Sequence, residues 1–190
     1  MAPAGGHGVE PAKGNPETDL MPPVESLPNV SLSGIADSSP DLIAQAALTV
    51  HTRGRGFIEI TRQAAQFVER AGAGDGILLL FMRHTSASLV IQENADADVQ
   101  RDLITALDLI APENAKWVHD VEGADDMPAH IKTMFTGVCL HVPVQNGALA
   151  LGTWQGIYVA EHRARSHRRE ILLQFIGLRR SRDAGRAEQA

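Results

Sequence analysis

The chain has 190 residues, of which 44% are hydrophobic and 21% charged, enough for one globular domain whose core needs neither disulfides nor a structural metal. Cys139 is the only cysteine, which rules out an intrachain disulfide and fits a reducing, cytoplasmic compartment. A net charge of −6 with no sustained basic face argues against nucleic acid as a partner, and the longest strongly apolar run, Ile77 to Met82, is far too short to cross a bilayer.

Residues 1–40 hold seven of the ten prolines, carry a charge of −4 and contain no aromatic residue. Such a segment has too little apolar surface to offset its ordering entropy, so a disordered tail is expected. It also lacks the basic start and apolar block of a secretory signal. With a second short tail over residues 180–190, one folded domain is expected over residues 41–179.

Ile43 to Val50 and Gly56 to Ile60 read as short strands. Thr61 is expected to cap a helix whose stripe is Ala64, Phe67, Val68 and Ala71, ended by Gly72 and Gly74. Gly76 to Arg83 is a continuously apolar strand, which predicts cover on both faces, and Ser86 to Gln92 reads as the next strand. Asp96 is expected to cap a longer helix with Val99, Leu103, Leu107 and Ile110 inward and Pro112 closing it.

Trp117 to Asp125 has no periodicity and reads as a loop. Asp126 is expected to cap a third helix, with Pro128 in its first turn and Met127, Ile131, Met134 and Phe135 as its buried stripe. Val138, Leu140, Val142 and Val144 alternate with Cys139, His141 and Pro143, the pattern of a half-buried strand, and Asn146-Gly147 signals a hairpin turn. Ala148 to Thr153, Ile157 to Arg163 and Arg169 to Ile176 supply three more strands. The fold class is therefore α+β, with about three helices and a largely antiparallel or mixed sheet.

Polar residues gather beside these apolar strands. His84 ends a buried strand and reads either as a core histidine bonded to backbone or as a metal ligand or acid–base group. His119 lies in an acidic loop, where Asp120 or Glu122 could bond one ring nitrogen and leave the other for a metal or a proton. His130 sits at the edge of the third helix's apolar stripe. Helix capping accounts for Asp126, whereas Asp125 has no such structural role and is the catalytic candidate. Arg163 and Arg169 could hold a phosphate bidentately or form a surface strand pair. Trp154, close to Gly152 and Gly156, is a stacking surface or core.

The strings His84-Thr-Ser-Ala-Ser-Leu, Glu122-Gly-Ala-Asp-Asp-Met-Pro-Ala-His130-Ile-Lys, Leu151-Gly-Thr-Trp-Gln-Gly-Ile-Tyr158 and Glu161-His-Arg163 closely resemble the YjbQ-like family, in the right order over about residues 43–178. At Gln92-Glu93-Asn94 many members have Asn before Glu, a departure that leaves Glu93 in place. The resemblance implies a compact α+β subunit assembled as a homotrimer, with a polar pocket built from the shared motifs. It further implies a secondary thiamine-phosphate synthase, which joins hydroxymethylpyrimidine diphosphate to thiazole phosphate and releases diphosphate.

Within the matched motifs, residue chemistry nominates His84, His119 and His130 as ligands of a divalent metal, zinc or magnesium. Glu93, Asp125 and Arg163 are nominated as catalytic, and Ser86, Trp154 and Arg169 as binding a phosphorylated small-molecule substrate. A nitrogen-rich ligand set favours zinc, although diphosphate departure normally employs magnesium. A metal-dependent hydrolase and a non-catalytic trimer that binds a metabolite or metal are the two alternatives.

Overall fold

The protein was obtained as a computed structural model that describes residues 35–181; the expected tails over residues 1–34 and 182–190 lie outside the described residues. The compact unit that carries the fold begins at Ser38. Its elements run β1 (Leu42–His51), β2 (Gly56–Glu59), α1 (Thr61–Arg70), β3 (Ala73–Met82), β4 (Ala87–Glu93), α2 (Ala97–Ile110), α3 (Asp126–Thr136), β5 (Cys139–Gln145), β6 (Ala148–Leu149), β7 (Gln155–Glu161) and β8 (Arg168–Arg179). The strands form two antiparallel sheets, ordered β1-β8-β3-β5-β6 and β2-β7-β4.

The period of two along each strand decides what is buried. Leu78, Leu80 and Met82 of β3, Ile171, Leu173 and Phe175 of β8, and Val142 and Val144 of β5 point inward. They share one core with Leu89 of β4, Ile157 and Val159 of β7, and Ala64 and Val68 of α1. Asn146 and Gly147 both adopt positive φ (51° and 75°), as a two-residue hairpin between β5 and β6 requires. Asp96 caps α2 by accepting from the Asp98 amide at 2.8 Å.

Four expectations are corrected. Among the described residues β3 is covered on one face only, because its strand neighbour β8 exposes the same side: Ile77, Phe81, Leu172 and Ile176 are all exposed. In α3 the buried residues are Asp126, Pro128, Ala129, Lys132 and Thr133, while Met134 and Phe135 are 74% and 63% exposed. This helix packs on β4 through its polar and small-residue face, so of the expected stripe Met127 and Ile131 are half-buried and Met134 and Phe135 are left exposed among the described residues. None of α2 is fully buried and Ile110 is exposed, since α2 lies on the outside against β2 and α3. The cap positions also move. Ile60, not Thr61, precedes α1, and the Thr61 hydroxyl instead accepts from the Ile157 amide at 2.9 Å. Asp125, not Asp126, occupies the cap position of α3, with no side-chain cap bond.

One close backbone approach shapes the sheet. Gly76 of β3 faces Gly177 of β8, and the fully buried Phe175 ring lies across both. A Cβ on Gly76 would collide with the Ile176 carbonyl oxygen and fall 2.8 Å from that ring, and one on Gly177 would collide with the Asp75 carbonyl oxygen and fall 2.6 Å from the ring. The pair leaves the ring the room a side chain would take. Gly76→Ala should therefore destabilise the protein by about 1–3 kcal/mol through overpacking, read as a lower urea midpoint with unchanged slope. An unchanged midpoint would mean that the β8 backbone and the ring both give way without cost.

Candidate metal centre

The end of the molecule where β4 begins and β7 finishes collects the polar residues. Asp126 and His130 lie four positions apart on α3 and so share a helix face. His119 comes from the loop before that helix. His119 Nε2 stands 2.8 Å from Asp126 Oδ2, His130 Nε2 stands 3.7 Å from Asp126 Oδ1, and one ligand atom from each of the three lies within 4.8 Å of the others. The two rings are 5.4 Å apart, centroid to centroid.

Three features make this cluster fit a cation. Asp126 is buried (2% exposed), and among the described residues its Oδ2 accepts no hydrogen bond, its one close polar neighbour being His119 Nε2 at 2.8 Å. A buried carboxylate oxygen without a donor is costly unless a positive charge meets it. The Thr85 carbonyl, which can only accept, lies 3.0 Å from His130 Nδ1, which places the hydrogen on Nδ1 and the lone pair on Nε2, toward the cluster. His119 is half exposed, so the centre is open on one side. Two imidazole nitrogens and a carboxylate with an open position match the ligand count of catalytic zinc sites.

Arg163 braces the cluster. Its Nε donates to Asp125 Oδ2 at 3.2 Å, its Nη2 donates to the Glu122 carbonyl at 2.9 Å, and its Nη1 bonds Asp126 Oδ1. Burial pushes the Asp125 carboxyl up, but the Ala164 amide and the Arg163 guanidinium outweigh that and hold it below its ordinary range. The roles expected of the two aspartates are thus exchanged. Asp125 clamps the loop, and Asp126 faces the histidines.

The remaining nominated residues are placed as follows. His84 stands outside the cluster, and its Nε2 accepts from the Glu170 amide at 2.9 Å. Arg169 is neither a surface residue nor free for a substrate. It is buried in a bidentate pair with Glu161, at 2.7 and 2.6 Å, and also donates to the Ser86 carbonyl. Burial raises Glu161, yet Arg169, the Arg163 amide and the Thr52 hydroxyl together leave its carboxyl below the ordinary range. Trp154 is 66% exposed and is not core. It lies with Glu93 at the far end of the β4–β7 ribbon, around an open groove lined by Ile91, Gln92 and Gln155. About six residues of strand, on the order of 20 Å, separate that end from Ala87.

A model of the family described as UPF0047 protein YjbQ-like matches residues 46–178. The chain belongs to that family. It is 42% identical over 134 residues to a UPF0047 protein of Synechocystis, covering 70% of this chain and 91% of that one. It is likewise 40% identical over 134 residues to the YjbQ protein of Escherichia coli O157:H7, covering 70% of this chain and 97% of that one. The crystal structure of a YjbQ/UPF0047-family protein from Clostridium acetobutylicum superposes with a TM-score of 0.63 at 36% identity, covering 70% of this chain and 98% of that one. The α+β architecture with three helices and antiparallel sheets is that of these YjbQ-like structures. Among the described residues no helix is long and apolar enough to cross a membrane.

Sequence reasoning passed over a buried polar network next to the centre. His162 Nε2 is 2.9 Å from Ser88 Oγ, which is 2.6 Å from Thr136 Oγ1, and Lys132 is buried beside them with its ammonium on Asp108. Only the string Glu161-His-Arg163 hinted at it. Burial, reinforced by Lys132, lowers the His162 imidazole from 6.5 to about 4. The unfolded chain therefore takes up a proton below pH 6.5 that the folded chain refuses until about pH 4. Stability is fully present above that window and is lost as pH falls through it, by up to on the order of 3 kcal/mol. Denaturation midpoints measured between pH 7.5 and roughly 4.5 should fall in the wild type and change much less in His162→Gln. Parallel pH profiles would exclude His162 as the cause.

Proposed function

We propose that this protein is a metal-dependent enzyme acting on a small phosphorylated or otherwise anionic molecule, with His119, Asp126 and His130 holding a divalent ion. The observation that carries the reading is the buried Asp126 oxygen without a donor, facing two imidazole nitrogens. The nitrogen-rich set favours zinc over magnesium. Bound there, the ion would supply Lewis acidity and charge neutralisation at an oxygen of the substrate. Arg163 holds the Asp126 carboxylate in place, Thr85 fixes the His130 tautomer, and the exposed side of His119 leaves an approach for substrate.

Hydrolysis suits this geometry better than the thiamine-phosphate transfer that the family resemblance implies. Transfer needs cations for a departing diphosphate and a surface for a ring. Arg163 and Arg169 are already paired with buried carboxylates, and Trp154 and Glu93 sit at the other end of β4 and β7. Turnover on a hydrolase panel of phosphate esters and amides would support the hydrolytic reading. Turnover on the paired thiamine precursors alone would reverse it, and tight binding without turnover would favour a metabolite-binding role. The single cysteine fits a cytoplasmic location.

Protein purified without added metal should carry close to one zinc per chain by elemental analysis. His119→Ala, His130→Ala and Asp126→Asn should each weaken retention by at least roughly tenfold, since each removes one of three ligands. Full occupancy in all three variants would place the ion elsewhere.

The assembly we propose is the homotrimer that the family resemblance implies, closed by the outer face of the five-stranded sheet. Ile77, Leu79 and Phe81 of β3 lie beside Leu172 and Ile176 of β8 and, at the edge, Ile43 of β1, a contiguous apolar surface of the kind soluble monomers rarely leave bare. Sedimentation at micromolar concentration should give a trimer and, for Phe81→Asp, a monomer. A monomeric wild type would refute this interface.

A further inference from the structure

We propose that His84 is a specificity-determining residue of this centre, a neutral hydrogen-bond donor through Nδ1 to the oxyanion group of the substrate, and not a ligand of the ion. This rests on the metal reading of His119, Asp126 and His130.

The tautomer follows from one contact. The Glu170 backbone N–H donates to His84 Nε2 at 2.9 Å, and an amide N–H can only donate. Nε2 therefore carries the lone pair, and in the neutral ring the hydrogen is on Nδ1. Turning the ring over would set a C–H against the Glu170 amide and leave that amide without an acceptor. Burial, with the Arg169 guanidinium adding to it, holds the imidazole below its ordinary range, so the ring is neutral at pH 7.

A metal ligand must offer a lone pair, and His84's only one is spent on Glu170. Ligation through Nδ1 would move the hydrogen to Nε2, directly against another N–H. By contrast, Nδ1–H has no acceptor among the described residues, and the side chain is only partly buried, so the donor is available to a ligand.

The placement is suitable. His84 immediately precedes Thr85, whose carbonyl holds His130, so its Cα lies within about 10 Å of the His130 ring by chain geometry. The charge is suitable as well. Glu170 is flanked by Arg83 at 2.9 Å and Arg168 at 3.7 Å, which leaves one positive charge in excess around the strand end that carries His84. A cation, a fixed N–H donor and an excess positive charge select a group that only accepts hydrogen bonds and bears negative charge, such as a phosphoryl or carboxylate group.

The test uses zinc-loaded protein titrated with inorganic phosphate, with metal content measured in parallel. His84→Asn keeps an N–H near the δ position, whereas His84→Gln keeps a polar atom near the ε position for Glu170 but loses the δ donor. Both variants should hold as much zinc as the wild type. Phosphate affinity should stay within about threefold in the Asn variant and fall by roughly tenfold or more in the Gln variant, the scale of one hydrogen bond to a charged group. Zinc loss in both variants would make His84 a ligand and overturn the proposal. Equal phosphate affinity in the Gln variant, or an equal loss in both variants, would overturn it too. Long-range proton–nitrogen spectra of the wild type give the tautomer without any substitution, and a hydrogen on Nε2 would sink the idea directly. A wild type that binds no zinc would remove the metal reading itself, whereas normal zinc with phosphate binding indifferent to His84 would remove this inference alone.

Discussion

The guanidinium of Arg163, buried at the end of β7, donates to the Glu122 carbonyl and to the carboxylates of Asp125 and Asp126, and so ties a loop without secondary structure to the rigid sheet. The helix spacing alone brings Asp126 to His130, but His119 comes from the loop, and without the Arg163 bonds the loop and the Asp126 carboxylate would have to be ordered against their conformational entropy. The neighbouring Glu161–Arg169 pair ties β7 of one sheet to β8 of the other at the same end. Two buried ion-pair clusters rooted two residues apart, at Glu161 and Arg163, are an expensive way to hold a structure together, since desolvation offsets most of their Coulombic gain. Their value lies in orientation, because bidentate and multidentate arginine contacts allow few alternative geometries.

The same physics explains why the centre is at one end of the molecule. The two sheets share one apolar core, and polar side chains gather only where strands stop and backbone groups need partners. There Thr85 supplies a carbonyl to His130, the Glu170 amide takes His84 as its acceptor, and the buried Ser88 joins the buried His162 to the half-buried Thr136. Each of these bonds fixes a ring or hydroxyl in one orientation. The opposite end, with Trp154 and Glu93, has an aromatic held on a turn whose backbone is bonded from Gln155 to Gly152 and from Asn94 to Trp154, so its exposure is imposed by the fold.

Much of this was legible in the linear chain because it depends on local rules. The Asn146-Gly147 turn, the Asp96 cap and the alternation from Val138 to Val144 follow from backbone conformation and from a period of two, and the structure has them as read. His119 and His130 could be recognised as polar groups at element boundaries. What the chain could not reveal was partnership. Asp126 read as a helix cap because capping is a local role that any aspartate there can fill, and only the tertiary contact with Arg163 and His119 assigns it another. His84 read as a ligand because a histidine beside a buried strand carries no sign of which nitrogen will be spent on an amide 86 residues away.

The sequence by itself determined the class of fold, the order of its elements and the family, all of which rest on periodicity, turn chemistry and long shared strings. The tertiary structure alone decided which arginines remain available, which aspartate meets the histidines and which apolar faces stay bare. Arg163 and Arg169 differ from free anion binders only through carboxylates brought to them by the fold. Met134, Phe135 and the outer row of β3 are as apolar as any core residue, yet they are exposed because burial depends on what packs opposite, and local sequence does not encode the opposing surface.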